Sequence, residues 1–160
     1  MEALVDAVLG DRDRTDDAAL LVLRTGEPIP FAMRLDDTPE GLRPMRHRLH
    51  AWLELRGCTP DDADAVVLAV NEAAANAIEH GYHDANGPVE VTGDVIEGNL
   101  RIVVEDHGGW RAGEPDPARG RGLPLMRTLM DDVDIEPLTP GTRVILRRRV
   151  DVGEDAPAMA

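Results

Sequence analysis

Three short groups of residues could do chemistry together. The first is Glu72, Asn76 and His80. Spaced four apart, they form one ladder along a helix turning about 100° per residue. An Asn oxygen suits Mg2+, which takes oxygen donors and usually keeps waters and substrate phosphates. Glu72, one turn away, can orient or deprotonate a hydroxyl or a water. Taken alone, the ladder reads more simply as a solvated polar stripe beside a packed face. Ala69, Ala73, Ala74, Ala75 and Ala77 surround it. They leave room for a ligand, and equally for close packing of the helix on a sheet.

The second group is Asp106-His107-Gly108, where an apolar run ends in a carboxylate. A carboxylate at a strand's mouth can accept a hydrogen bond from an exocyclic amine. A glycine two residues on lets backbone approach a flat ring without a Cβ. The plainer alternative is an ordinary strand-ending turn. The third group, Gly120-Arg121-Gly122-Leu123, runs straight into a helical pattern. Free N–H groups at such a helix start, behind glycines, can hold phosphate. A lone G-x-G is weak on its own.

These groups need elements to position them, and the chain is long enough to build them. At 160 residues it fits one compact domain. Aromatics make up only 2%, so the core must be built from Val, Leu, Ile, Met and Ala. Residues 31–35 read as a strand. Asp37 or Thr38 caps a helix with Pro39 in its first turn, and Leu42, Met45, Leu49, Trp52 and Leu53 give it an apolar stripe. Gly57 ends it, and Thr59 and Pro60 start a second helix, whose stripe runs from Val66 to Ile78 before Gly81. Val89, Val91 and Val95, then Leu100, Ile102 and Val104, alternate as a hairpin should. A third helix carries Leu123, Met126, Met130 and Val133. Residues 133–138 and 142–150 form a closing strand pair, with a frayed tail after 151. Helices set on one face of a mostly antiparallel sheet give an α+β two-layer sandwich.

Charge and cysteine content narrow the function. A net charge of -14 repels phosphate backbones, which argues against a direct nucleic-acid partner. The single cysteine, Cys58, forms no internal disulfide and reads as a small apolar filler. No window reaches the roughly 18 apolar residues of a membrane span, and the N-terminus lacks a basic signal region. The expectation is a cytoplasmic protein without a membrane partner.

The three groups, in this order and spacing, resemble the ATP site of the GHKL superfamily, which includes DNA gyrase and the histidine kinases. Glu72-x-x-x-Asn76 is similar to its first element, Asp106-x-Gly108 to its second and Gly120-x-Gly122-Leu123 to its third. Gly141-Thr142 is similar to the fourth. The run from Asn71 to Tyr82 and the short stretch between Gly109 and Gly120 most resemble the bacterial anti-sigma-factor serine/threonine kinases. The resemblance implies a Bergerat-type ATP-binding fold over residues 31–150, with ATP and Mg2+ as cofactors. It implies Glu72 as general base and Asn76 as Mg2+ ligand, with His80 beside them on the nucleotide. Asp106 is implied as the adenine acceptor. Gly108, Gly120, Gly122 and Leu123 would shape the lid and phosphate loop, and Thr142 would support the adenine end. The implied partners are a STAS-domain anti-anti-sigma factor and a sigma factor, and a homodimer is compatible with this reading. One departure bears on the lid: Trp110 stands where the superfamily often has a second glycine.

Residues 15–24 resemble the last strand of a PP2C-type stress-response phosphatase, in which one aspartate of the Asp16-Asp17 pair helps bind metal. The resemblance implies that residues 1–25 are the tail of an upstream phosphatase domain, joined by a linker at 26–30. Two other functions compete with the kinase: a non-catalytic ATP-binding module that sequesters a sigma factor, and the ATPase half of a histidine kinase. The second lacks a recognisable dimerising helix with a phosphoacceptor histidine; His47 and His50 lie on the first helix beside arginines.

Overall fold

The computed structural model describes residues 29–36, 38–81, 87–108 and 122–151. The phosphatase-like segment 1–25, most of the linker, Tyr82, Gly109, Trp110, Gly120, Arg121 and the tail after 151 lie outside the described residues, as does the side chain of His80.

Five strands form one sheet: β1 (Phe31–Leu35), β2 (Val89–Ile96), β3 (Asn99–Asp106), β4 (Asp132–Leu138) and β5 (Gly141–Arg149), in the order β1-β2-β3-β5-β4. Every neighbouring pair is antiparallel. The β2–β3 hairpin turns on Glu97 and Gly98, both at positive φ (51° and 74°). Two such residues make the tight turn whose twist matches the strands it joins.

Three helices complete the fold: α1 (Leu42–Leu55), α2 (Pro60–Gly81) and α3 (Gly122–Leu129). A 3-10 turn, Pro39–Gly41, leads into α1; Thr38 precedes it without a side-chain capping bond. The Thr59 hydroxyl does cap α2, accepting from the Asp62 N–H at 3.3 Å and donating to Asp62 Oδ2 at 3.0 Å. The third helix is shorter than its periodicity suggested. It stops at Leu129, Met130 is buried just beyond it, and Val133 belongs to β4. A residue pattern at helical spacing ran on into a strand because both elements bury against the same core.

That core lies on one side of the sheet. Val89, Val91, Val95, Leu100, Ile102, Val104 and Leu146 meet Met45, Leu49, Leu53, Val66, Val70 and Met126 there. Ala69, Ala73 and Ala74 are buried at 1% exposure or less, so close helix-to-sheet packing accounts for these three alanines. Cys58 is buried in the same cluster, as an apolar filler should be.

The opposite face carries ion pairs on either side of Val103 and Ile145, register partners that are buried there outside the main core cluster. Arg143 Nε donates to Glu105 at 2.8 Å and its Nη1 to Glu136 at 3.3 Å. Arg147 bonds Asp134 at 2.7 Å and also reaches Asp132. A face built this way needs no covering layer, and the helices stay on the other side.

Candidate nucleotide site

The outer half of α2, the start of α3 and the adjoining ends of β3 and β5 build the site. Glu72 and Asn76 sit one turn apart on α2, both half-buried, beside the alanines that pack on the sheet. The start of α3 lies directly against them. A methyl group built on Gly122 would stand 3.0 Å from Asn76 Nδ2 and 3.2 Å from Glu72 Oε2. The first and third groups of the sequence therefore meet in space, so closely that any Cβ at position 122 would press on both side chains.

Asp106 ends β3 and is 4% exposed. Burial pushes its carboxyl above the usual carboxylate range, although the N–H groups of Gly108 and Thr142 and nearby His107 work against this. The Gly108 N–H donates to Oδ1 at 3.0 Å. Two N–H donors leave acceptor capacity on the carboxylate. Gly141, opening β5, crosses the Asp106 backbone so closely that a Cβ there would fall 1.9 Å from the Asp106 carbonyl oxygen. Its φ of 112° is a conformation that side chains rarely permit. Asp106 and Thr142 are register partners, so the second and fourth groups also meet.

Leu123 is half-buried and packs against the core cluster, so its side chain anchors the start of α3. Among the described residues no three His, Cys, Asp or Glu side chains are grouped to hold a metal ion. No described helix is long and apolar enough to cross a membrane.

Two features, one beside the site and one at the far ends of its helices, were not read from the sequence. Arg46 Nη1 on α1 donates to Asn71 Oδ1 at 2.9 Å, next to Glu72 on α2. Arg148 of β5 pairs with Asp62 of α2 across 86 residues of sequence. Thr59-x-x-Asp62 had a legible capping signature. Nothing in the local sequence marks the arginine partner.

The chain matches the Histidine kinase-like ATPase domain over residues 35–148. It is 33% identical over 144 residues to serine-protein kinase RsbW of Bacillus licheniformis, covering 76% of this chain and 89% of that one. RsbW of Bacillus velezensis is also 33% identical, over 121 residues, which is 65% of this chain and 76% of the relative. An anti-sigma F factor of Clostridium novyi is 32% identical over 106 residues, covering 58% and 74%. Among solved structures, the RsbU and RsbW domains of Rv1364c from Mycobacterium tuberculosis superpose with a TM-score of 0.64 at 29% identity. The match covers 76% of this chain and 32% of that one. The predicted α+β sandwich and its ATP-binding architecture are thus both present, and the chain belongs to the histidine kinase-like ATPase domain family, in the group of RsbW serine-protein kinases and anti-sigma factors.

Proposed function

We propose that this chain binds ATP with Mg2+ and phosphorylates a serine or threonine hydroxyl of a STAS-domain anti-anti-sigma factor, and that it sequesters a sigma factor. The observation that carries the reading is the meeting of Gly122 with Glu72 and Asn76, together with a buried Asp106 carboxylate held by the Gly108 N–H. The residues present fit the nucleotide. An acidic acceptor at the end of β3 suits an adenine amino group. The close approach of Gly122 to Asn76 brings the start of α3, where a helix offers free N–H groups to phosphate, next to the candidate cation ligand.

Bound ATP supplies the γ-phosphoryl group, which passes to the acceptor oxygen as ADP leaves. Asp106 orients the base. Asn76 would offer its carboxamide oxygen to Mg2+, an ion that takes oxygen donors and is usually bound together with substrate phosphates. Glu72 takes the proton of the attacking hydroxyl. Its Oε2 lies 3.2 Å from the Cβ position of Gly122, beside the start of α3. Gly108 and Gly122 shape the loop, Leu123 anchors the start of α3 and Thr142 supports Asp106 through its N–H, while the roles expected of Gly120 and His80 rest on the sequence resemblance alone.

Residues 31–150 form the kinase domain in this reading, and residues 1–25 are the remnant of a preceding PP2C-type domain. Rv1364c carries an RsbU and an RsbW domain, so a domain of the RsbW kind does occur together with a second domain. The place of action is the cytoplasm. A relative named anti-sigma F factor supports a second reading, in which the chain holds a sigma factor and transfers phosphate poorly. The histidine-kinase reading loses ground at α1. That helix spends Met45, Leu49 and Leu53 on the core and offers no free dimerising face through them.

The test is incubation with labelled ATP, Mg2+ and a panel of STAS-domain proteins. Label should appear on a serine or threonine of one of them. Sigma-factor binding with no transfer to any acceptor would select the sequestering module.

A further inference from the structure

Arg148 lies on the helix side of β5, where Val144 and Leu146 contribute to the core. Its guanidinium reaches two helices at once. Nε and Nη2 donate to Asp62 Oδ1 at 3.0 and 2.7 Å, near the start of α2. Nη1 donates to the carbonyl of Leu129, the last residue of α3. Asp62 is itself 9% exposed. Its other oxygen accepts the Thr59 hydroxyl and the Asp151 N–H, each at 3.0 Å. The Asp62–Arg148 pair is therefore held from several sides.

The other end of α3 is the site. The helix has eight residues and its first, Gly122, rests against Glu72 and Asn76. A helix this short is not stable alone, so its surroundings set where it sits. Met126 and Leu123 hold it on the core. Apolar contacts of this kind are non-directional and leave sliding along the helix axis weakly specified. A planar guanidinium fork is directional, and a cation at a helix C-terminus also suits the helix dipole. An eight-residue helix is only about 12 Å long, so the place of its last carbonyl governs its first N–H groups.

We propose that Arg148 is a positioning residue for the phosphate end of the nucleotide site: by joining Asp62 to the Leu129 carbonyl it fixes α3 along its axis and so holds Gly122 against Glu72 and Asn76. The inference rests on the nucleotide reading above. Lysine cannot replace this arginine fully, because one ammonium group cannot present the same fork to Asp62 and reach the Leu129 carbonyl as well.

The experiment compares the full chain with its Arg148→Gln and Arg148→Lys variants by titration with Mg-ATP and, separately, with adenosine. Amide hydrogen exchange is followed in α1 and α3. Arg148→Gln should lose about tenfold in ATP affinity, the scale of one charge-assisted hydrogen bond. Adenosine affinity should hold, exchange should quicken in α3 and not in α1, and Arg148→Lys should fall between. Equal losses for ATP and adenosine, or none for either, would overturn the proposal. If the wild type binds neither ligand, the nucleotide reading fails, and unchanged α3 exchange in the variant then refutes the seating by itself. Should Arg148→Gln not fold, Asp62→Asn leaves the bond to Leu129 in place and should show the same selectivity for ATP at smaller size. A loss there that does not distinguish the two ligands counts against the proposal equally.

Discussion

At the scale of single residues, Glu72 and Asn76 share a helix face and differ in chemistry. Asn76 is expected to act through the metal, so Asn76→Ala should lose Mg2+-dependent nucleotide affinity and transfer together. In the proposed mechanism Glu72 matters only during transfer. Glu72→Gln should bind nucleotide nearly as the wild type does and transfer about 10²–10⁴ more slowly. Paired nucleotide titration and single-turnover transfer separate the two, and a wild-type rate in Glu72→Gln would leave catalysis to positioning and Mg2+ alone. Asp106→Asn replaces part of the acceptor with a donor. It should cost about 1.5–3 kcal/mol of ATP affinity, or about 10- to 150-fold, read by calorimetry. Burial raises the Asp106 carboxyl, so its ionised form gives way at a higher pH than an ordinary aspartate's. Adenine recognition should weaken in that same range as pH falls.

At the scale of elements, the join between β3 and β5 leaves no freedom. Gly141 combines a φ of 112° with a Cβ position 1.9 Å from the Asp106 carbonyl oxygen. Gly141→Ala must move the start of β5 or the end of β3, and with it Asp106. The expected cost is about 2–5 kcal/mol in thermal unfolding, from backbone strain and overpacking together. Nucleotide affinity should fall in whatever fraction still folds. An unchanged melting temperature would show that the two strand ends are not locked together. Gly122 differs, because its neighbours are the tips of two side chains that can give way. The two glycines thus do different work: one is demanded by the backbone, the other eases the approach of α3 to two side chains of α2.

At the scale of the whole molecule, the Asp62–Arg148 pair ties the sheet to α2 and α3. Burial alone would raise the Asp62 carboxyl, but hydrogen bonds from Arg148, the Asp151 N–H and Thr59 outweigh it and hold the group below its ordinary value. A carboxyl depressed in the folded state contributes stability above its unfolded pKa and loses it as pH falls through the folded one. Asp62→Asn should therefore destabilise by about 2–3 kcal/mol at neutral pH, the low end for a buried pair because Arg148 remains 26% exposed. Melting curves of variant and wild type should converge in strong acid. A constant gap at every pH would mean that the ionised carboxylate is not what stabilises the fold.

By itself the sequence determined the fold class, the placement of most elements and the candidates for the chemistry. Periodicities of 3.6 and 2 report which face of each element is buried, and glycine, proline and Thr59 mark where elements stop and start. It placed Glu72 and Asn76 on one face of α2 because that relation is local. The end of α3 escaped it, since a strand packed on the same core continues the same apolar spacing through Val133. Tertiary structure alone decided that Gly122 closes on Glu72 and Asn76, that Gly141 is pressed onto Asp106, and that Arg148 reaches both Asp62 and Leu129. Each of these joins residues far apart in the chain. Such contacts are fixed by how the sheet and helices pack in three dimensions, and local pattern carries no signal of them.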